Sequence, residues 1–186
     1  AGSLIARKTL ETVDEAFWRQ VLDVNLTSCL WVTQAALPML CRNPQSSIVN
    51  MASLAGRKGG HSGSLVYSTA KGAILTWTRS LASELGARGV RVNAVAPGLI
   101  LGTSFHNTHT SEASAKATIA GIPLGQAGCA DDTWPARWCI WHRNTMASSP
   151  VPRWISTVVS MPADGRHCNF NCGVQSPCSV TWASSW

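Results

Sequence analysis

The sequence predicts an α/β protein built on an open parallel sheet. Helical apolar spacing alternates with short β-branched runs in the order helix, strand, helix, strand. Both strand runs are short and carry apolar, β-branched residues, which suits buried parallel strands. A Pro-Gly turn closes the second run, at the carboxyl edge where ligands of such sheets sit.

The elements follow in order. From Thr12 to about Arg42, Phe17, Val21, Val24, Leu26, Leu30, Val32, Leu37 and Leu40 recur at helical spacing, with Thr12 and Glu15 placed as a capping box. A break is expected near Asn25, because asparagine is a poor helix former. SSIVNMAS, Ser46 to Ser53, reads as the first buried strand, and the loop LAGRKGGHSGS follows it. Leu65 to Ala87 reads as a helix ended by Gly86 and Gly89. GVRVNAVAPG, Gly89 to Gly98, is the second strand.

Composition narrows the function classes. The net charge is +6, yet only 13% of residues are charged and no Lys/Arg run is longer than a pair such as Arg57-Lys58. Nucleic-acid binding, which wants a basic stripe, is therefore not expected. No apolar run approaches the roughly 18 residues of a membrane span, and the N-terminus lacks a signal core, so a soluble, cytoplasmic chain is expected. Six of nine tryptophans follow Thr133, four of seven cysteines lie from Cys139 onward, and lysine is missing after Lys116. That break divides the chain into a folded region, 1–130, and a tail, 131–186.

The chemistry gathers around YSTAK. Tyr67, the sole tyrosine, and Lys71 are four residues apart and share a helix face. A phenol titrates near pH 10, and an ammonium held beside it favours phenolate, so the pair is a candidate general acid/base unit. His61, His106 and His109 lack cysteine or carboxylate companions at metal spacing, and no metal site is expected. Cys168, Cys172 and Cys178 with His167 do not make a strong zinc pattern either.

With AG at the start, VNL around Asn25, IVNMAS, YSTAK and RVNAVAPG, in that order over about Ala1 to Gly128, the sequence resembles the classical short-chain dehydrogenase/reductase family. The nearest look is to 3-oxoacyl-carrier-protein reductase-like and sugar dehydrogenase-like members. The resemblance implies the C-terminal half of a Rossmann-type doubly wound parallel sheet. It implies an NAD- or NADP-dependent oxidoreductase that interconverts an alcohol and a ketone, the alternative being a non-catalytic scaffold or binding protein. Tyr67 would be the acid/base and Ser53 would steady the substrate oxygen. Lys71 would lower the pKa of Tyr67 and hold the nicotinamide ribose, and Asn25 would hold a relay water by distorting its helix. Pro97, Gly98, Ile100 and Thr103 would line the nicotinamide side. A homo-oligomer, dimer or tetramer, is implied through the long helices, with a small alcohol or ketone as substrate.

Two departures are visible. Ser53 and Tyr67 are 14 positions apart, one more than is common in the family, and the threonine after Pro-Gly comes one place late, with Gly102 before it. The resemblance also places the Gly-rich cofactor turn before Ala1, so the chain as given is expected to be inactive. The tail reads as an out-of-frame translation. Codons can be chosen for Thr133 to Val159 that, begun at the third base of the first, spell VARAVVYLASEYNGFITGATLDINGG, the helix and D-x-N-G-G strand the family ends with. An unstructured tail is therefore expected.

Overall fold

The computed structural model describes residues 2–43, 46–123, 125–129 and 158–160. The proposed tail and its out-of-frame reading lie outside the described residues apart from 158–160, and so do Cys139, Cys168, Cys172 and Cys178.

The long first helix forms in two pieces. α1 is Glu15–Leu22, a π-helical turn covers Asp23–Thr27, and α2 runs Ser28–Leu40. The expected capping box is not used. Leu10–Thr12 is a short 3-10 turn, and Asp14 is the N-cap, its carboxylate accepting from the Phe17 N–H at 2.7 Å. A carboxylate also suits the positive end of the helix dipole. The expected break at Asn25 is present, as a widened turn rather than an interruption.

Strand β1, Ser47–Met51, pairs in parallel with β2, Arg91–Ala96, in the register Ser47 to Arg91 through Met51 to Val95. On the other side of β2 lies β5, Val158–Ser160, parallel to Ala94–Ala96, which puts β2 at the centre of the order β1-β2-β5. A second small sheet pairs β3, Ile100–Leu101, with β4, Gly128–Cys129. Between β1 and β2 the chain makes a short helix α3, Ala55–Lys58, and the 21-residue helix α4, Leu65–Leu85. A 3-10 turn, Gly86–Arg88, follows α4. It ends at Gly89, whose φ of 76° belongs to the left-handed region that glycine enters without a Cβ penalty. Two further helices, α5, Ser104–His109, and α6, Glu112–Ala120, follow β3.

Helix α4 is packed against the sheet along its length. Ile74 and Leu75 meet Ala52, Ala94 and Ala96, with Leu26 and Cys29 of the first helix against them. One end of the helix, Leu81 and Leu85, joins Val90 and Val92, with Leu37 and Leu40 of α2 alongside. Near the other end, Val66 packs on Phe17 and Val21 of α1, with Tyr67, Ile5 and Val13 at the margin. Small alanines on the strands let α4 come close, and this fixes where its first turns, carrying Tyr67 and Lys71, stand relative to the end of β1. Ile74 is wholly buried in this contact. Ile74→Ala is expected to destabilise the fold by about 2–5 kcal/mol in urea unfolding, the usual cost of emptying a packed aliphatic site.

Candidate active site

The site is built where α4 begins, above the carboxyl end of β1. Lys71 is 2% exposed. Its Nζ donates to the Met51 carbonyl at 2.9 Å, so the last residue of β1 holds the ammonium. The ammonium lies over the Tyr67 ring, 5.6 Å from its centroid. Burial lowers the Lys71 pKa to about 8, against a small upward pull from the neighbouring Cys29 sulfur. Lys71 still carries its charge at neutral pH.

Tyr67 is half-buried beside Ser53, which follows β1. Burial pushes the phenol above its ordinary value near 10, and the pull of the nearby Ser53 hydroxyl brings it only part of the way back. The sequence-based expectation that the ammonium would lower this pKa is therefore not met in the net direction, because desolvation outweighs the favourable groups. The Ser53 hydroxyl also accepts from the Ala55 N–H at 3.1 Å, which fixes its rotamer.

Asn25 is fully buried, and its Nδ2 donates to the carbonyls of Ser3 and Val21, both at 2.8 Å. By claiming the Val21 carbonyl, the side chain competes with the helix ladder, which is the local reason for the π turn. The Asn25 Oδ1 has no hydrogen-bond partner among the described residues. The Asn25 carbonyl accepts from the Cys29 Sγ at 3.2 Å. Gly2 sits between Asn25 and Lys71: a Cβ placed there would lie 2.8 Å from Asn25 Oδ1 and 2.9 Å from Lys71 Nζ.

On the other side, the Pro97 carbonyl accepts from the Leu54 N–H at 2.8 Å, tying the Pro-Gly turn to the chain just after Ser53. Ile100 is buried in β3. Thr103 is the N-cap of α5: its hydroxyl donates to the Ile100 carbonyl at 3.0 Å and accepts from the His106 N–H at 3.4 Å. The structure thus groups Asn25, Lys71, Tyr67 and Ser53 at the ends of α4 and β1. Pro97, Gly98, Ile100 and Thr103 form a second arm along the turn after β2. The extra residue between Ser53 and Tyr67 falls in a stretch containing α3 and Gly59–Ser64, with Gly59 and Gly63 at φ 76° and 78°.

Sequence reasoning missed three neighbours. Gly2 was seen only as part of a motif, and its role needs the fold to bring residue 2 beside residues 25 and 71. Cys29 stands one helical turn after Asn25, a spacing that could have flagged it. Phe105 packs on Tyr67 with ring centroids 5.5 Å apart, a contact across the fold that no local pattern announces. Among the described residues no group of three or more His, Cys, Asp or Glu is gathered as a metal site.

A sequence profile described as enoyl-(acyl carrier protein) reductase matches residues 1–139. The curated relatives include an uncharacterized short-chain type dehydrogenase/reductase of Sinorhizobium fredii, 35% identical over 71% of this chain and 52% of its own length. The chain belongs to the short-chain dehydrogenase/reductase family. Another family relative, a 3-oxoacyl-[acyl-carrier-protein] reductase of Synechocystis, is 35% identical over 68% of this chain and 47% of its own. A solved structure from Beutenbergia cavernae, assigned as an NAD(P)-dependent gluconate 5-dehydrogenase and carrying NADP at low occupancy, is 33% identical. It covers 71% of this chain and 52% of its own, with a TM-score of 0.64. The family fold of this chain is therefore the Rossmann-type α/β sheet. The chain spans about half the length of the curated relatives it matches.

Two measurements check this geometry. Lys71 loses its proton near pH 8 when folded and near 10.5 when unfolded, so across that window the unfolded chain binds more protons. Stability should therefore rise with pH from about 8 to 10.5, by on the order of 3 kcal/mol, and Lys71→Met should remove that rise in denaturant titrations at stepped pH. Gly2→Ala, which forces a methyl against Asn25 and Lys71, is expected to cost about 1–3 kcal/mol in the same assay.

Proposed function

We propose that the protein is an NAD(P)-dependent oxidoreductase that interconverts an alcohol and a ketone, with Tyr67 as the acid/base. The observation that carries this is the buried ammonium of Lys71, held by the Met51 carbonyl and set over the Tyr67 ring, with Ser53 near enough to draw on the phenol. Two hydroxyls, with an ammonium behind one of them, are placed to meet one reacting oxygen. Ser53 and Tyr67 are both hydroxyl donors to it, one steadying developing negative charge and the other exchanging the proton. A phenol held above its ordinary pKa is protonated at neutral pH, the form that gives a proton to a ketone as it is reduced.

The residues fit the nicotinamide end of the cofactor. An ammonium has three N–H donors; Met51 takes one, and the others suit a pair of ribose hydroxyls. Thr103 has spent its hydroxyl hydrogen on Ile100 and keeps an acceptor for a carboxamide N–H. The cofactor, when bound, supplies or takes the hydride. Asn25, buried with an unpartnered oxygen beside Lys71, supports the relay role, in which it positions the ammonium and the route by which the phenol is reprotonated.

Trp31, Val32 and Met39 of α2 are 61%, 69% and 74% exposed, an apolar surface that supports assembly of the chain with copies of itself through its long helices. No helix among the described residues is long and apolar enough to cross a membrane. The free thiols of Cys29 and Cys41 suit a reducing, cytoplasmic setting.

Because the chain spans about half the length of its curated relatives, the assignment is tested in a protein extended to their full length, by following nicotinamide absorbance with a panel of small ketones and alcohols. Tyr67→Phe should lower hydride transfer about 10²–10⁴-fold, the usual share of a positioned acid/base. Equal rates for Tyr67→Phe and the parent would show the role to be wrong. A full-length parent silent with both NADH and NADPH is the result expected of a non-catalytic scaffold.

A further inference from the structure

Helix α5 brings an aromatic ring to the reacting tyrosine. Phe105 lies against Tyr67 with centroids 5.5 Å apart and planes tilted by 35°. The Phe105 ring is itself gripped by two histidines of the same helix, His106 at 5.1 Å and His109 at 5.2 Å, both edge-on. Phe105 is only half-buried, so part of its surface remains open beside the phenol.

The ring is held in place through the helix that carries it. Thr103 caps α5 and ties it to Ile100. The His106 Nδ1 pairs with the Thr110 hydroxyl at 3.0 Å, one turn further along the chain. At the far end, the Arg7 guanidinium donates to the His109 carbonyl at 2.9 Å and to the Ser62 carbonyl at 3.1 Å. α5 is thus fastened both to β3, through Thr103, and to the loop that precedes Tyr67, through Arg7.

We propose that Phe105 is a specificity-determining and positioning residue: it forms an apolar wall against Tyr67 that favours ketones and alcohols with a flat, apolar substituent beside the oxygen, and it keeps water from the phenol. This rests on the oxidoreductase reading of the site. A phenyl face offers a flat substituent offset stacking, and it offers a carboxylate or phosphate nothing in exchange for lost water. The titratable and charged groups around the wall are Lys71 over the Tyr67 ring, His106 and His109 against Phe105, and Arg7 at the His109 carbonyl. Burial holds His106 below its ordinary pKa, so the histidine next to the wall is neutral at neutral pH.

Tyr67 is the chain's sole tyrosine, so tyrosine isotope-labelled at Cζ gives a single resonance that reports its ionisation without turnover. In the full chain the phenol should titrate above 10. Phe105→Ala should bring that titration down by about one pH unit, and Phe105→Leu, which keeps apolar bulk and guards against a folding defect, should fall between. Acetophenone, added as the probe, should move the resonance of the parent and require about tenfold more to do so in Phe105→Ala. Coincident titrations in all three proteins, or equal acetophenone responses, overturn the proposal. Because neither readout needs hydride transfer, they can fail while the Tyr67→Phe assay succeeds, and the reverse.

Discussion

The site depends on one constraint: an ammonium held almost out of reach of water. A buried cation is tolerated only where fixed dipoles replace its hydration. Here the Met51 carbonyl accepts from the ammonium, which requires β1 to end where it does and α4 to start where it does. The helix that bears Asn25 must in turn widen into a π turn, so that the carboxamide can bind Ser3 and leave Gly2 between Asn25 and Lys71. Strand end, helix start, widened turn and glycine are four separate features of the chain, and Lys71 makes each a condition on the others.

How much of this was legible depended on range. The strands and α4 followed from apolar runs and glycine stops, because these are local and the helix keeps its own spacing. Tyr67 and Lys71 could be paired from the sequence because four residues make one turn. The N-cap was misplaced by two residues: Thr12 and Glu15 have the capping-box pattern, but Asp14 is the better acceptor, and the chain at Leu10–Thr12 had already turned. The direction of the Tyr67 pKa was also misjudged. Charge spacing is visible in a sequence, whereas burial is a sum over elements such as α1 and α5 that come from elsewhere in the chain. Phe105 was invisible for the same reason.

The two arms of the site differ in kind. The back, made of Lys71, Asn25 and the α4 contacts with Ala52, Ala94 and Ala96, is assembled from buried groups, and disturbing any of them leaves a polar atom or a gap behind. The front, along the turn after β2 and through α5, is held by caps and single hydrogen bonds, several with an edge in water. Sites that must admit and release a small molecule need such a difference between a fixed floor and a yielding entrance.

Arg7 shows how that entrance is weighted. Its guanidinium joins the loop before Tyr67 to the end of the helix carrying Phe105, and both of its hydrogen bonds are solvent-exposed. Water can stand in for either carbonyl, so releasing them costs far less than the desolvation that fixes Lys71. The latch and the floor thus sit at opposite ends of the energy scale. Losing the grip of Arg7 would free one end of α5 at little cost, while Thr103 still ties the other end to Ile100 and Tyr67, Lys71 and Ser53 keep their places.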